Sequence, residues 1–235
     1  MKKNKTILIF FLTLAAFRPT VAQTVRDKVT QSAITPSKAL ELLVSGNERF
    51  VNSTMVKRDL AASVRQTAGG QFPYAVIVNC IDSRTPIELT FDQGIGDVFN
   101  ARIAGNIVNE DIIGSLEFAP SVVGSKLIAV IGHTECGAIK GACDDVHLGN
   151  LTGLLKKISP AVESVPSSVV PRNSKNKDFV NDATKRNVFL AISEIKRQSP
   201  LLKKMIDEHS IGIIGGIYDI STGKAVMFTE TKEGF

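Results

Sequence analysis

Three short segments of the chain are apolar almost without interruption, and they restrict the fold more than any other feature of the sequence. They cover residues 74–80, 126–132 and 211–218, and each is rich in valine or isoleucine. A strand with one face in water alternates apolar and polar residues, whereas an unbroken apolar run is typical of a strand buried on both faces. We therefore expect these segments to be central strands of a parallel sheet covered by helices on both sides.

Helical patterns and two further strands surround these segments. A helix is predicted to begin after Thr35, because a threonine cap is followed by proline at the first helical position. The other predicted elements are a strand over 97–103, a helix over 110–118, a helix opening at 137, mainly helical structure over 151–210 with a loop at 166–177, and a strand over 225–229. The sequence thus predicts a single-domain α/β fold, with a central, mostly parallel sheet of about five strands flanked by helices, and an N-terminal helical arm. We expect residues 23–34 to be loose.

The beginning of the chain has a different character from the rest. A lysine-rich start precedes an apolar stretch over 7–17 and the small residues Val21 and Ala22. This stretch is too short to span a bilayer and is typical of a secretory signal peptide. We expect a signal peptide over 1–22, a mature domain over 23–235 in the periplasm, and no membrane anchor after cleavage.

Removing this leader changes what the net charge implies. The whole chain has a formal charge of +5, and the leader carries four basic residues and no acidic one, which leaves +1 for the mature domain. No stripe of lysine and arginine interleaved with aromatic residues remains in that domain. We therefore expect no nucleic-acid partner.

Chemically active side chains follow two of the apolar segments, where each predicted strand ends. Cys80 ends the first, over 74–80, and His133 and Cys136 follow the second, over 126–132. Because neighbouring parallel strands end at the same edge of a sheet, these side chains can meet there. Two thiolates and one imidazole are the ligand count of a catalytic zinc site, which leaves the fourth tetrahedral position open. Two buried core thiols and a core histidine are the alternative that spacing alone leaves open.

The same two segments resemble the signature of β-class carbonic anhydrases. That signature is a Cys-x-Asp-Ser-Arg segment, here beginning at Cys80, followed by a His-x-x-Cys-Gly segment, here beginning at His133. Further matches in family order are Gly46-Asn47, Arg49-Phe50, Phe91-Asp92-Gln93-Gly94, Gly96-Asp97, Arg102, Ala104-Gly105-Asn106, Gly215, Tyr218-Asp219 and Thr222-Gly223. The resemblance covers most of the mature chain, and it implies a zinc enzyme, a carbonate dehydratase, that interconverts carbon dioxide and bicarbonate.

The resemblance also implies roles for individual residues. Cys80, His133 and Cys136 are expected to hold Zn²⁺. Asp82 and Arg84 match the family's paired dyad, in which the aspartate orients a zinc-bound hydroxide and the arginine holds the aspartate. In some members the aspartate instead becomes the fourth zinc ligand and closes the site.

Four further residues are expected to bind the substrate on the same grounds. Gln71 matches a glutamine that donates an amide hydrogen bond to a substrate oxygen. Phe99 and Ala104 are expected to line an apolar pocket, and Gly137 to expose a backbone amide near the metal. Relatives are dimers or assemblies of dimers, so a homodimer or tetramer is expected.

The sequence also departs from parts of the family pattern. Many relatives have asparagine where this chain has Ile103, so the hydrogen bonds of that asparagine are not expected here. Members that are inhibited by a second bicarbonate carry a tryptophan where this chain has Ile77, and the chain contains no tryptophan. We therefore expect no such regulatory site.

Two other functional interpretations remain open at the level of the sequence. The same zinc site could hydrolyse a sulfur analogue, carbonyl sulfide or carbon disulfide. Alternatively, the chain could be a non-catalytic periplasmic zinc-binding protein. The presence of both Asp82 and Arg84 argues against the second, because a storage site needs no carboxylate that orients a nucleophile.

Overall fold

The computed structural model describes residues 25–235, and its centre is one five-stranded sheet with the strand order β2-β1-β3-β4-β5. Strands β1 to β4 are parallel, and β5 pairs with β4 in the antiparallel direction. The strands are β1 (Ala75–Asn79), β2 (Val98–Arg102), β3 (Leu127–His133), β4 (Gly212–Tyr218) and β5 (Ala225–Glu233). The predicted α/β fold with a mostly parallel sheet is therefore confirmed.

Helices cover both faces of this sheet. They are α1 (Lys28–Ser32), α2 (Pro36–Val51), α3 (Leu60–Thr67), α4 (Ile87–Thr90), α5 (Glu110–Phe118), α6 (Gly137–Cys143), α7 (Gly149–Leu155), α8 (Ser159–Glu163), α9 (Lys177–Gln198) and α10 (Pro200–Asp207). Val76 and Val78 of β1 pack into a cluster with α5, α9 and α10. Ala75 and Ile77 pack with α2 and α4 on the opposite face. Both faces of the strand are apolar for this reason, as the unbroken sequence pattern predicts.

The pairing of β1 with β3 positions the chemically active segments. Asn79 pairs with Ile131, and every residue of both strands is buried. Cys80 follows β1 directly and His133 ends β3, so both lie at the carboxyl edge of the sheet. Ligands of parallel sheets bind beyond this edge.

Helix α2 is attached to the sheet by an unusually close backbone contact. A β-carbon on Gly46 would lie 1.9 Å from the carbonyl oxygen of Phe91, so only glycine fits. Next to it, the Asn47 amide donates to the carbonyl oxygens of Thr90 and Gly223, each at 2.8 Å. The helix that opens at the predicted Thr35 cap is thereby fixed to the turn before β5.

The structure differs from the sequence prediction at several places. Residues 23–34 were expected to be loose, but from Lys28 to Ser32 they form α1, and the buried Gln31 amide donates to the Pro73 carbonyl at 2.8 Å. Helix α3, which Asp59 caps, was not predicted. Strand β5 runs to Glu233, beyond the predicted limit, because pairing with β4 continues through its polar half.

The expected signal peptide over 1–22 lies outside the described residues. No helix within residues 25–235 combines the length and the apolar character needed to cross a membrane.

The contact at Gly46 predicts a reversal of the usual effect of alanine in a helix. Replacing a glycine inside a helix by alanine normally stabilises it by about 1 kcal/mol. Gly46→Ala instead forces a β-carbon against the Phe91 carbonyl, and we expect it to lower the free energy of unfolding by about 1–3 kcal/mol in urea titrations at neutral pH. Gly153→Ala in α7 is the control, because its β-carbon would meet no atom within 4 Å. Equal effects at the two positions would show that the contact is unimportant.

Candidate metal centre

Cys80, His133 and Cys136 meet at the carboxyl edge of the sheet, as their positions in the sequence predict. One ligand atom from each lies within 4.8 Å of the other two, and all three residues are buried. The two sulfur atoms are 3.9 Å apart. Cys80 comes from the end of β1, while Cys136 immediately precedes α6. Three donors from two strand ends thus surround one point.

The imidazole of His133 has one nitrogen occupied and one without a partner. Nδ1 lies 2.9 Å from the Thr134 carbonyl oxygen, which can only accept, so this nitrogen carries the proton. Nε2 is buried and has no hydrogen-bond partner within residues 25–235. A buried polar atom without a partner is costly, and metal ligation accounts for it here. The orphaned nitrogen and the two sulfurs match the donors that zinc prefers.

The two thiols share their protonation. A hydrogen bond from the Cys136 thiol lowers the pKa of Cys80, and further hydrogen bonds, including one from the Gly105 N–H at 3.3 Å, add to this. The same interaction with the Cys80 sulfur, together with burial, raises the pKa of Cys136. One thiolate is therefore already favoured by the fold, and zinc binding must displace the remaining thiol proton.

Asp82 and Arg84 form a closely paired carboxylate and guanidinium beside the three ligands. Oδ1 of Asp82 accepts from the backbone N–H and from Nε of Arg84, both at 2.9 Å, and Oδ2 accepts from Nη2 at 2.7 Å. The hydrogen bonds from Arg84 hold the pKa of Asp82 below its usual range. Oδ2 is 3.9 Å from Nε2 of His133, so the charged carboxylate faces the metal position from one side.

Arg102 supports this loop in a way that sequence reasoning missed. Its Nε donates to the Cys80 carbonyl at 3.0 Å, and its Nη2 donates to the Asp82 carbonyl at 2.6 Å. The sequence marked this residue as a family landmark, without a role in holding the loop after β1. Its position at the end of β2, beside the end of β1, is the signal that could have located it.

Two of the predicted pocket residues lie near the site. Ala104 begins a short 3₁₀ turn, Ala104–Asn106, that carries the Gly105 amide to Cys80. Gly137 is exposed and begins α6 directly after Cys136. Ile103 packs against the apolar cluster that contains both cysteines.

Gln71 and Phe99 are not brought to the site within this chain. Phe99 pairs with Val76 near the start of its strand, and its ring packs against Phe118 with centroids 6.1 Å apart. Gln71 is exposed and precedes the amino end of β1. A five-residue strand spans about 16 Å, so this end is remote from Cys80.

Comparison with known proteins assigns the fold and the site to one family. The family profile described as carbonic anhydrase matches residues 75–225, which include both halves of the metal site. The chain belongs to the carbonic anhydrase family. It is 35% identical over 195 residues to carbonic anhydrase 2 of Mycobacterium tuberculosis, an alignment that covers 82% of this chain and 92% of the relative.

Solved structures place this carbonic anhydrase in the β class. The β-carbonic anhydrase CafA of Aspergillus fumigatus is 26% identical, with a TM-score of 0.63 over 72% of this chain and 85% of that one. Two tetrameric β-carbonic anhydrases of Sordaria macrospora provide a match with a TM-score of 0.61 and 24% identity, over 72% of this chain and 90% of that one. Zinc is the metal of β-class enzymes, and the Cys-His-Cys donor set of this chain fits it.

Replacing Cys136 and replacing Cys143 are expected to have very different effects on zinc binding. Cys136→Ser removes a thiolate ligand, so we expect the carbonic anhydrase to lose bound zinc during dialysis against a mild chelator, as measured by elemental analysis. Cys143→Ser is the matched control, because Cys143 lies at the end of α6, outside the ligand cluster. This variant is expected to retain full zinc. Zinc loss in Cys143→Ser would mean that this thiol is a fourth ligand.

Proposed function

We propose that this carbonic anhydrase hydrates carbon dioxide reversibly with Asp82 and Arg84 as the pair that positions the nucleophile. The observation that supports the proposal is the Asp82 carboxylate, which three hydrogen bonds from Arg84 hold beside the ligand cluster. Zinc, when bound by Cys80, His133 and Cys136, supplies the acidity that makes water nucleophilic near neutral pH.

The ionised state of Asp82 defines what it can do. An ionised carboxylate only accepts hydrogen bonds, and Arg84 keeps it ionised. Asp82 therefore accepts a hydrogen bond from the attacking oxygen and leaves a lone pair of that oxygen directed at the carbon of the substrate. The exposed guanidinium of Arg84 keeps the carboxylate in one orientation through a two-pronged contact.

We further propose that the site is open, with Asp82 outside the ligand set. To become a fourth ligand the carboxylate has to leave Arg84 and lose its hydrogen bonds to that side chain. Among the described residues, the cluster of candidate ligand atoms consists of Cys80, His133 and Cys136, and it does not include Asp82. The intact pairing supports an open fourth position, which is the arrangement of catalytic zinc sites.

The active protein is proposed to be a homodimer or a tetramer, in which a neighbouring subunit completes the substrate pocket. Gln71 lies at the amino end of β1, so it can act as an amide donor to the substrate only at the site of another subunit. Phe99 lies on the same remote part of the sheet. Ala104 and Gly137 contribute from the subunit that holds the metal. The tetrameric relatives of Sordaria macrospora are consistent with such an assembly.

The proposed location is the periplasm, with residues 1–22 removed as a signal peptide and residues 23–235 forming the mature domain. The lysine-rich start and the short apolar stretch support it. A mature protein that begins near Gln23 in N-terminal sequencing of a periplasmic fraction would be the expected result.

The role of Asp82 is tested by stopped-flow hydration of carbon dioxide on protein of known zinc content. Asp82→Asn keeps the shape of the side chain but removes its charge, and we expect kcat to fall about 100-fold with zinc unchanged. The control is Asp182→Asn, which removes a similar aspartate–arginine pair on the surface of α9 and should leave the rate unaltered. A wild-type rate in Asp82→Asn would refute the role of the dyad. Wild-type protein with full zinc but no hydration, or with hydrolysis of carbonyl sulfide alone, would refute the proposed function.

The role of Gln71 is tested by mixed oligomers of two variants. Gln71→Ala subunits have an intact metal site, and Cys136→Ser subunits have an intact Gln71. If Gln71 serves the neighbouring site, a mixed dimer purified through two different tags regains one complete site and about half the wild-type activity. The Gln71→Ala homodimer should stay well below that value. If the activity per intact zinc site is no higher in the mixed dimer than in the Gln71→Ala homodimer, Gln71 does not act across the interface.

A further inference from the structure

A buried amide in the middle of α9 reaches the loop that surrounds the metal ligands. Asn187 is only 1% exposed, and its Nδ2 donates to the Gly105 carbonyl oxygen at 2.7 Å. Asparagine is a poor helix former, and burying its amide is costly unless the amide is bonded. In this helix of 22 residues the Asn187 Nδ2 is thus bonded to a distant segment, while its Oδ1 is buried without a partner within residues 25–235.

Gly105 is also the residue that contacts Cys80. Its backbone N–H donates to the Cys80 sulfur at 3.3 Å. The two peptide groups that flank the Gly105 α-carbon therefore have separate partners. One gives its N–H to the thiolate, and the other gives its carbonyl oxygen to Asn187.

The conformation of Gly105 makes this second bond important. Its φ is +67°, and a β-carbon there would lie 2.7 Å from Cδ1 of Ile158. Any other residue would be strained at this positive φ, and glycine has more backbone freedom than any other residue. The hydrogen bond from Asn187 restricts that freedom where a small rotation would turn the N–H away from the sulfur.

We infer that Asn187 is a positioning residue of the zinc centre, which fixes the Gly105 N–H on the Cys80 thiolate. Hydrogen bonds to ligand atoms orient them and tune the metal that they hold. An N–H on a thiolate withdraws charge from the sulfur, which matters in a site where two thiolates donate to one zinc. The inference rests on the zinc site of the proposed function, but not on the role of Asp82.

A matched control lies one turn earlier on the same helix face. Thr184 is equally buried, but its hydroxyl donates to the Val180 carbonyl of its own helix at 2.7 Å. Thr184→Val therefore removes a buried hydrogen bond of α9 without touching the loop that carries Gly105. Loss of global stability is common to both variants, whereas a change at the metal is expected only for Asn187.

The experiment uses Asn187→Leu and Asn187→Ala beside Thr184→Val, with two readouts that do not depend on hydration. Zinc affinity is measured by competition with a chromophoric chelator, and we expect it to fall about 10- to 100-fold in both Asn187 variants and to stay within about threefold in Thr184→Val. In the cobalt(II)-substituted proteins, the thiolate-to-cobalt charge-transfer band should move to lower energy only in the Asn187 variants, because the Cys80 sulfur becomes richer in electrons.

The alanine variant keeps the test decisive if leucine prevents folding, since alanine is the best helix former. Unchanged zinc affinity and an unchanged cobalt band in folded Asn187→Ala would overturn the inference, and so would equal changes in Thr184→Val. Failure of the wild-type protein to bind zinc would overturn the metal site itself, and is distinguished from these outcomes by the same titration.

Discussion

The parallel pairing of β1 with β3 is the interaction on which the rest of the structure depends. It sets Asn79 beside Ile131, and hence places Cys80 and His133 at adjacent strand ends. Side chains alternate along a strand, so a shift of one residue in this register would reverse which face each side chain occupies. The two faces pack against different helices, so such a shift would disrupt the close packing on both. The geometry of the metal site is therefore a consequence of core packing.

Hydrogen-bond donors at the site offset the negative charge of its carboxylate and sulfur groups. The sulfur atoms of Cys80 and Cys136 and the Asp82 carboxylate converge on one small volume, and hydrogen-bond donors contact Cys80 and Asp82. Arg84 holds the carboxylate, the Gly105 N–H contacts the Cys80 sulfur, and Arg102 fixes the backbone of the loop between them. With zinc bound by Cys80, His133 and Cys136, these donors would offset part of the negative charge that the two thiolates give to the metal.

Much of this arrangement follows from local sequence. The strand predicted over 126–132 and the helix predicted over 110–118 agree with β3 and α5 within one residue, because apolar runs and helical spacing are local signals. The meeting of Cys80 with His133 follows from the rule that parallel strands end at the same edge. The contact of Asn187 with Gly105 spans 82 positions and follows from no local pattern. The remoteness of Gln71 is likewise a property of the folded sheet.

A crystal structure of the zinc-loaded protein at neutral pH, with anomalous data collected at the zinc absorption edge, tests the metal site most directly. We expect one strong anomalous peak bounded by Cys80, His133 and Cys136, with the Asp82 carboxylate still paired with Arg84. A peak at another position, or no peak in protein shown to contain zinc, would contradict the metal site. A peak coordinated by Asp82, with Arg84 released, would contradict the open site.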